Sequence, residues 1–224
     1  MEGKEARLFN GRNALIVGGT SGIGSAVADA LLTEGAAITV TGRHAPSASV
    51  SFIPVDFERD GLYAVNDVRF RDALLSCDIL CVCYGPFLQK PLEKTTAAEW
   101  EKISLFDYAL PGILTSTVLN SMIIKKWGRI LLFGGTKTDT IRSCRTNAAY
   151  AGAKTGISVL VKSVASSYGM YNITCNAVLP GFVTNAPEGA PLVTAQDVAQ
   201  KAIMLLSAPS LNGVLLTVDN GWNP

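Results

Sequence analysis

Short runs of apolar, largely β-branched residues alternate along the chain with longer stretches whose apolar positions recur every three or four residues. The short runs at 13–18, 37–41, 50–55, 78–84, 128–133, 172–178 and 213–218 predict seven strands. Ala14-Leu15-Ile16-Val17 and Ile79-Leu80-Cys81-Val82-Cys83 are apolar throughout, as strands buried on both faces of a parallel sheet must be. Helical periodicity predicts helices at 22–34, 66–76, 96–125, 147–169 and 195–207, with a bend in the longest where Pro111 and Gly112 interrupt it. Strands alternating with helices, without an internal repeat, point to an α/β fold: a doubly wound parallel sheet in a single domain over 1–224. Two segments lack the pattern. The crossover at 42–49 holds Pro46 and is shorter than the roughly dozen residues such connections take, so that flank is expected to carry no covering helix. The Pro- and Gly-rich stretch at 185–191 reads as a surface loop on the ligand side.

Composition narrows the function classes. Of 224 residues, 48% are hydrophobic and 17% charged, against about 25% charged in an ordinary soluble chain, so the material suits a large core and not a disordered chain. Nineteen Lys+Arg against eighteen Asp+Glu leave a formal +1, with no basic surplus for a nucleic-acid backbone and no polybasic run for a membrane surface. No apolar run approaches the ~18–20 residues of a spanning helix, and the first residues lack the apolar core of a secretory signal. A cytoplasmic protein with no nucleic-acid or membrane partner is expected. The cysteines, Cys77, Cys81, Cys83, Cys144 and Cys175, are odd in number and form no C-x-x-C pair, which reads as reduced thiols. His44, the only histidine, reads as a solvated loop residue, and no metal site is expected.

The first candidate chemistry lies after the first strand, where Gly18-Gly19-Thr20-Ser21-Gly22-Ile23-Gly24 opens an Ala-rich helix. Gly18 permits a tight turn, Gly22 a close backbone approach to a pyrophosphate, and Gly24 close packing of helix on strand. Thr20 and Ser21 add hydroxyl donors, and the helix N-terminus adds free N–H groups and partial positive charge. A glycine turn without a ligand is the alternative. Far downstream, Tyr150 and Lys154 stand four apart in a helical stretch, so they project from one face. A phenol with an ordinary pKa near 10 becomes a usable acid–base beside an ammonium. An amphipathic surface pair has the same spacing.

Gly-x-x-x-Gly-Ile-Gly followed by Tyr150-Ala-Gly-Ala-Lys154 resembles the short-chain dehydrogenase/reductase family, and the resemblance covers nearly the whole chain. Asp56 follows the third strand, Tyr84-Gly85 the fourth, Asn176-Ala-Val-Leu-Pro-Gly-Phe-Val-Thr184 the sixth, and Val218-Asp219-Asn220-Gly221-Trp222 ends the chain. The resemblance implies a Rossmann fold in which Tyr150 exchanges a proton with the substrate oxygen, and Lys154 lowers its pKa and binds the nicotinamide ribose. It places Gly18, Thr20, Ser21, Gly22, Ile23, Gly24, Asp56, Gly85, Pro180, Gly181, Val183 and Thr184 on the cofactor. After the second strand Arg43 stands where an acid would bind NAD, which implies NADP, with NAD the alternative, and an exposed arginine without a ligand the bland one. A small-molecule or carrier-bound carbonyl substrate, of ketoacyl type, and a homodimer or homotetramer are implied as well.

The chain departs from the family pattern at four points. Glycines occupy the expected serine positions after the fifth strand, leaving Thr136 to supply the hydroxyl, with Thr138 and Ser143 as weaker candidates and an ordinary loop threonine as the alternative. Asp107 stands where the family has an asparagine that holds a relay water; acceptance from water or a lysine and a plain surface aspartate both remain open. Val82-Cys83-Tyr84-Gly85 replaces Asn-Asn-Ala-Gly, and the stretch before the last helix is too short for the usual helical lid. Two functions follow: an NADPH-dependent carbonyl reductase, or a catalytically silent nucleotide-binding regulatory or scaffold protein of the same fold.

Overall fold

The computed structural model describes residues 7–46, 50–184 and 188–222. Among them, seven parallel strands form one sheet in the order β3-β2-β1-β4-β5-β6-β7. They are β1 (Asn13–Val17), β2 (Ala37–Gly42), β3 (Ser51–Pro54), β4 (Ile79–Val82), β5 (Gly128–Phe133), β6 (Ile173–Pro180) and β7 (Leu215–Val218). The predicted strands are all present, with ends displaced by a few residues. Side chains alternate between two cores: Leu15, Val17 and Leu80 face one side, Ile16, Ile79 and Cys81 the other. The first core is closed by α3 (Val68–Ser76), α5 (Leu110–Lys125) and α6 (Ala148–Tyr168). The second is closed by α1 (Gly22–Thr33) and α7 (Ala195–Ser207). Cys77, Cys81 and Cys175 are buried, Cys83 and Cys144 partly so, and all five are free thiols. Among the described residues, no helix is long and apolar enough to cross a membrane.

The order of strands reverses between β1 and β4: the chain builds outward from β1 to β3, then crosses back to place β4 on the other side. The connections leaving these two strands diverge and open a crevice at their carboxyl ends. Both Gly18 and Gly85 lie there, just past β1 and β4.

Three features differ from the sequence pattern or refine it. The long helix at 96–125 is two helices, α4 (Ala97–Ser104) and α5, joined by a π turn at Leu105–Ala109. Pro111 has no N–H to offer the carbonyl one turn back, and the ladder widens immediately before it. A short helix, α2 (Phe57–Asp60), and a 3-10 turn at Gly61–Asn66 precede α3, and periodicity was too brief to predict either. The described part of the crossover from β2 to β3 carries no helix, and residues 47–49 lie outside the described residues. A hollow of about 420 Å³ on that flank is lined by Ile38 and Thr39 of β2, by Ser51 of β3 and Val50 just before it, and by Ala73 and Ser76 of α3. Of the loop at 185–191, residues 185–187 lie outside the described residues; the rest runs without a helix into α7.

Candidate active site

The glycine loop is shaped by what a side chain would hit. Gly18 has φ +79°, and a Cβ there would lie 2.8 Å from the Tyr84 backbone nitrogen, so both conformation and space demand glycine. A Cβ on Gly24 would run into the Gly18 carbonyl, so α1 starts directly against the turn. Gly22, also at positive φ, faces open space instead: no atom lies within 4 Å of the Cβ position. Ser21 caps α1 in extended conformation without a side-chain cap bond, and the first turn holds no acidic residue. The first-turn amides are therefore open to an anion, with the helix dipole favouring it. Thr20 is seated on the end of β2, where a side chain at Gly42 would collide with it, and Ile23 packs into the α1 core.

Arg43 follows β2 directly, is exposed, and forms no ion pair among the described residues. Asp56, past β3, serves the fold: its Oδ1 accepts from the Glu58 and Arg59 amides at 3.1 and 3.4 Å and starts α2. Tyr84 packs against Phe57 and Phe106, and its hydroxyl is buried without a partner among the described residues; burial, with Glu58 and Asp56 nearby, pushes the phenol up to about 12.

Tyr150 sits in the first turn of α6 and Lys154 one turn on, both turned to the carboxyl edge of the sheet. Lys154 is buried; its Nζ donates to the Phe133 carbonyl at the end of β5 at 3.1 Å and lies 5.8 Å from the Tyr150 ring centre. Asp107, 0% exposed within the π turn, brings its Oδ1 to 2.9 Å from the same Nζ. The contact is an ion pair off the hydrogen-bond axis, and among the described residues neither carboxylate oxygen has a hydrogen-bond partner. Asp107 is thus not a surface aspartate; of the sequence alternatives, the structure shows its carboxylate beside a lysine, as an ion pair. Gly85 closes over the pair: a Cβ there would overlap Asp107 Oδ1 and lie 3.0 Å from Lys154 Nζ.

The expected lowering of the Tyr150 phenol is not found. Burial raises it above its ordinary value, and Asp107 raises it further, while the lysine that was to offset this is paired with Asp107. Burial also raises the Asp107 carboxyl, with Lys154 opposing.

Thr136 does not fill the serine's place. Its Oγ1 donates to Asp219 Oδ2 at 2.6 Å, and Asp219 in turn accepts from the Gly221 amide. Thr138 is buried and exchanges hydrogen bonds with the Gly135 backbone, while Ser143 is exposed. The residue facing the phenol is Gly135, whose Cβ would lie 3.4 Å from the Tyr150 hydroxyl. Phe87 covers the ring edge-on at 5.0 Å. Sequence reading placed glycines at the serine positions, and Gly135 is the one that faces the phenol; it missed Phe87. It also gave Asp219 no role.

The end of β6 completes the rim. Pro180 ends the strand, and Gly181 packs on Asp219, where a Cβ would meet the Asp219 Cβ at 2.8 Å. Val183 reaches the α7 core and Thr184 is exposed. Among the described residues, no group of three or more His, Cys, Asp or Glu side chains is placed to hold a metal ion.

Residues 12–192 match the family model for short chain dehydrogenase. The chain is 27% identical to a 2-dehydro-3-deoxy-D-gluconate 5-dehydrogenase from Formosa agariphila, over 94% of this chain and 92% of the relative. It is 29% identical to a 3-oxoacyl-(acyl-carrier-protein) reductase from Haemophilus influenzae, over 95% of this chain and 98% of the relative. A solved structure of a short chain dehydrogenase/reductase family protein superposes with a TM-score of 0.83 at 22% identity, covering 95% of this chain and 97% of the other, a likeness of fold. With its glycine loop, its paired Tyr150 and Lys154 and its seven-stranded sheet all inside or around the matched span, this chain belongs to the short-chain dehydrogenase family.

Proposed function

We propose that the protein is an NAD(P)(H)-dependent oxidoreductase acting on a carbonyl or alcohol, with NADP(H) the preferred cofactor and Tyr150 the acid–base. The observation that carries this reading is the pair Tyr150 and Lys154, set at the same sheet edge as an open glycine loop and helix N-terminus. The residues fit a dinucleotide. Open space before Gly22 and uncapped first-turn amides suit a pyrophosphate, and Arg43, free of any carboxylate among the described residues, suits a 2′-phosphate. When bound, the nicotinamide supplies or accepts hydride. Gly85 keeps Lys154 within reach of the crevice, and Pro180, Gly181, Val183 and Thr184 line its far rim. Tyr150 holds the proton exchanged with the substrate oxygen, at a hydroxyl that Gly135 leaves uncrowded on that side.

The relatives named above are, by their names, a 5-dehydrogenase of 2-dehydro-3-deoxy-D-gluconate and a reductase of a carrier-borne 3-oxoacyl group, and a carbonyl of ketoacyl type, small or carrier-bound, is the substrate class proposed here. The absence of a hydroxyl at Gly135 favours a second reading, a silent nucleotide-binding protein of the same fold. A homodimer or homotetramer is proposed as well, supported by exposed Ile113 and Val159 on the long helices α5 and α6; sedimentation measures it. Fluorescence titration with NADPH and NADH tests the cofactor. Arg43→Asp should weaken NADPH by about tenfold or more and leave NADH within about twofold, given the strength of charge-assisted pairs; equal losses would refute the assignment. Ketone-dependent NADPH oxidation separates the enzyme from the silent reading.

A further inference from the structure

Beside Tyr150 stands the cation Lys154, and the structure gives it an anion for a neighbour. Lys154 Nζ is fixed between the Phe133 carbonyl at 3.1 Å and Asp107 Oδ1 at 2.9 Å. Both side chains are almost fully buried, so water does not weaken the interaction as it does for a surface pair. The backbone of Gly85 lies against both groups, in a space that admits no side chain. Asp107 is the middle residue of the π turn that precedes Pro111, and it reaches the lysine from a different element than either β5 or α6.

The other groups around Tyr150 add little charge. Cys83, past β4, stays a neutral thiol because burial holds it far above its ordinary value. Tyr84 beside it is a neutral phenol, and Asp56, Glu58 and Arg43 act on Tyr84, not on Tyr150. Phe87 is apolar, and Asp219 is bonded to Thr136 and Gly221. Besides the burial that raises the phenol, the charges beside Tyr150 are therefore those of Lys154 and Asp107.

We propose that Asp107 is a positioning residue that clamps Lys154 and cancels its charge at Tyr150, so that the site works as a proton donor and is biased toward carbonyl reduction. The proposal rests on the reading of Tyr150 as the acid–base. In that step the Tyr150 O–H bond breaks and its proton goes to the carbonyl oxygen. The carbonyl carbon takes hydride from a reduced nicotinamide, and the phenolate recovers a proton from solvent. The reverse step needs Tyr150 ionised first, and the clamp makes that state costly.

Tyrosinate absorbance titrated without nucleotide tests the proposal, with Tyr150→Phe as the reference for each protein. In the unsubstituted protein Tyr150 should show no ionisation below about pH 10, the ordinary phenol value. In Asp107→Asn its midpoint should fall by about one unit or more, since removing a buried neighbouring charge moves pKa values by that order. An unchanged or raised midpoint in Asp107→Asn would overturn the proposal. Should that variant not fold, a Tyr150 midpoint below about 10 in the unsubstituted protein would overturn it as well. If the proteins turn over ketone, the pH profile for alcohol oxidation should move to lower pH in Asp107→Asn by the same interval. A uniform loss of rate with the profile in place would mean that Asp107 only supports structure. If no ketone is turned over, the oxidoreductase reading fails while the titration still decides the charge question.

Discussion

At the scale of the residue, the site turns on which hydroxyl stands beside Tyr150. Gly135 offers none, and the nearby Thr136 is spent on Asp219, a carboxylate only 6% exposed. Replacing Thr136 with Val leaves that oxygen buried without a donor, at a cost of about 1–3 kcal/mol. Each kcal/mol lowers the melting temperature of a chain this size by about 2–4 °C. Thermal unfolding should show that loss, while kcat for ketone reduction per folded molecule stays within about twofold; a tenfold fall in kcat at unchanged stability would return Thr136 to the chemistry. Gly18, Gly24, Tyr150 and Lys154 were legible from sequence because their requirements are local: a turn angle, a helix start, one turn of helix. The partners of Asp107 and Thr136 were not, since each lies on another element and no spacing encodes where the elements meet.

Element by element, the seven strands and the main helices between them were readable, and the strand order and the irregular pieces were not. Pro111 marked a break in the long helix, yet a proline alone does not specify that the break is a π turn, nor that it buries Asp107. The short α2 depends on a single Asp56 cap, which has no periodic signal. At the other edge of the sheet, Asp78 ties three elements together. Its Oδ2 accepts from the Asn13 amide at 3.1 Å, and its Oδ1 from Lys125 Nζ at 3.0 Å. The same Nζ reaches the Ser76 and Cys77 carbonyls at the end of α3. Because Lys125 is about a third exposed, Asp78→Ala should cost about 1–3 kcal/mol, less than a fully buried pair. Denaturant unfolding should report that loss with NADPH affinity unaltered, since the amino edge is remote from the crevice. Weaker nucleotide binding at unchanged stability would contradict this division of labour.

For the whole molecule, one topological fact organises the rest: the sheet changes direction between β1 and β4, and every residue assigned to the chemistry lies at or near the carboxyl ends of the strands around that point. Single-domain packing around two cores follows from strands buried on both faces, which the apolar runs announced. The thin cover over β2 and β3 and the helix-free described approach to α7 were equally visible, as stretches without pattern. What the whole assembly is for comes down to whether the Tyr150 phenol delivers a proton during nucleotide-driven reduction. Single-turnover oxidation of NADPH by a ketone, followed in the unsubstituted protein and in Tyr150→Phe, measures that directly. The account predicts that both proteins bind NADPH alike and that the variant is slower by about a hundredfold or more, the usual weight of an acid–base group. Equal rates in the two proteins, or no NADPH bound by either, would contradict it.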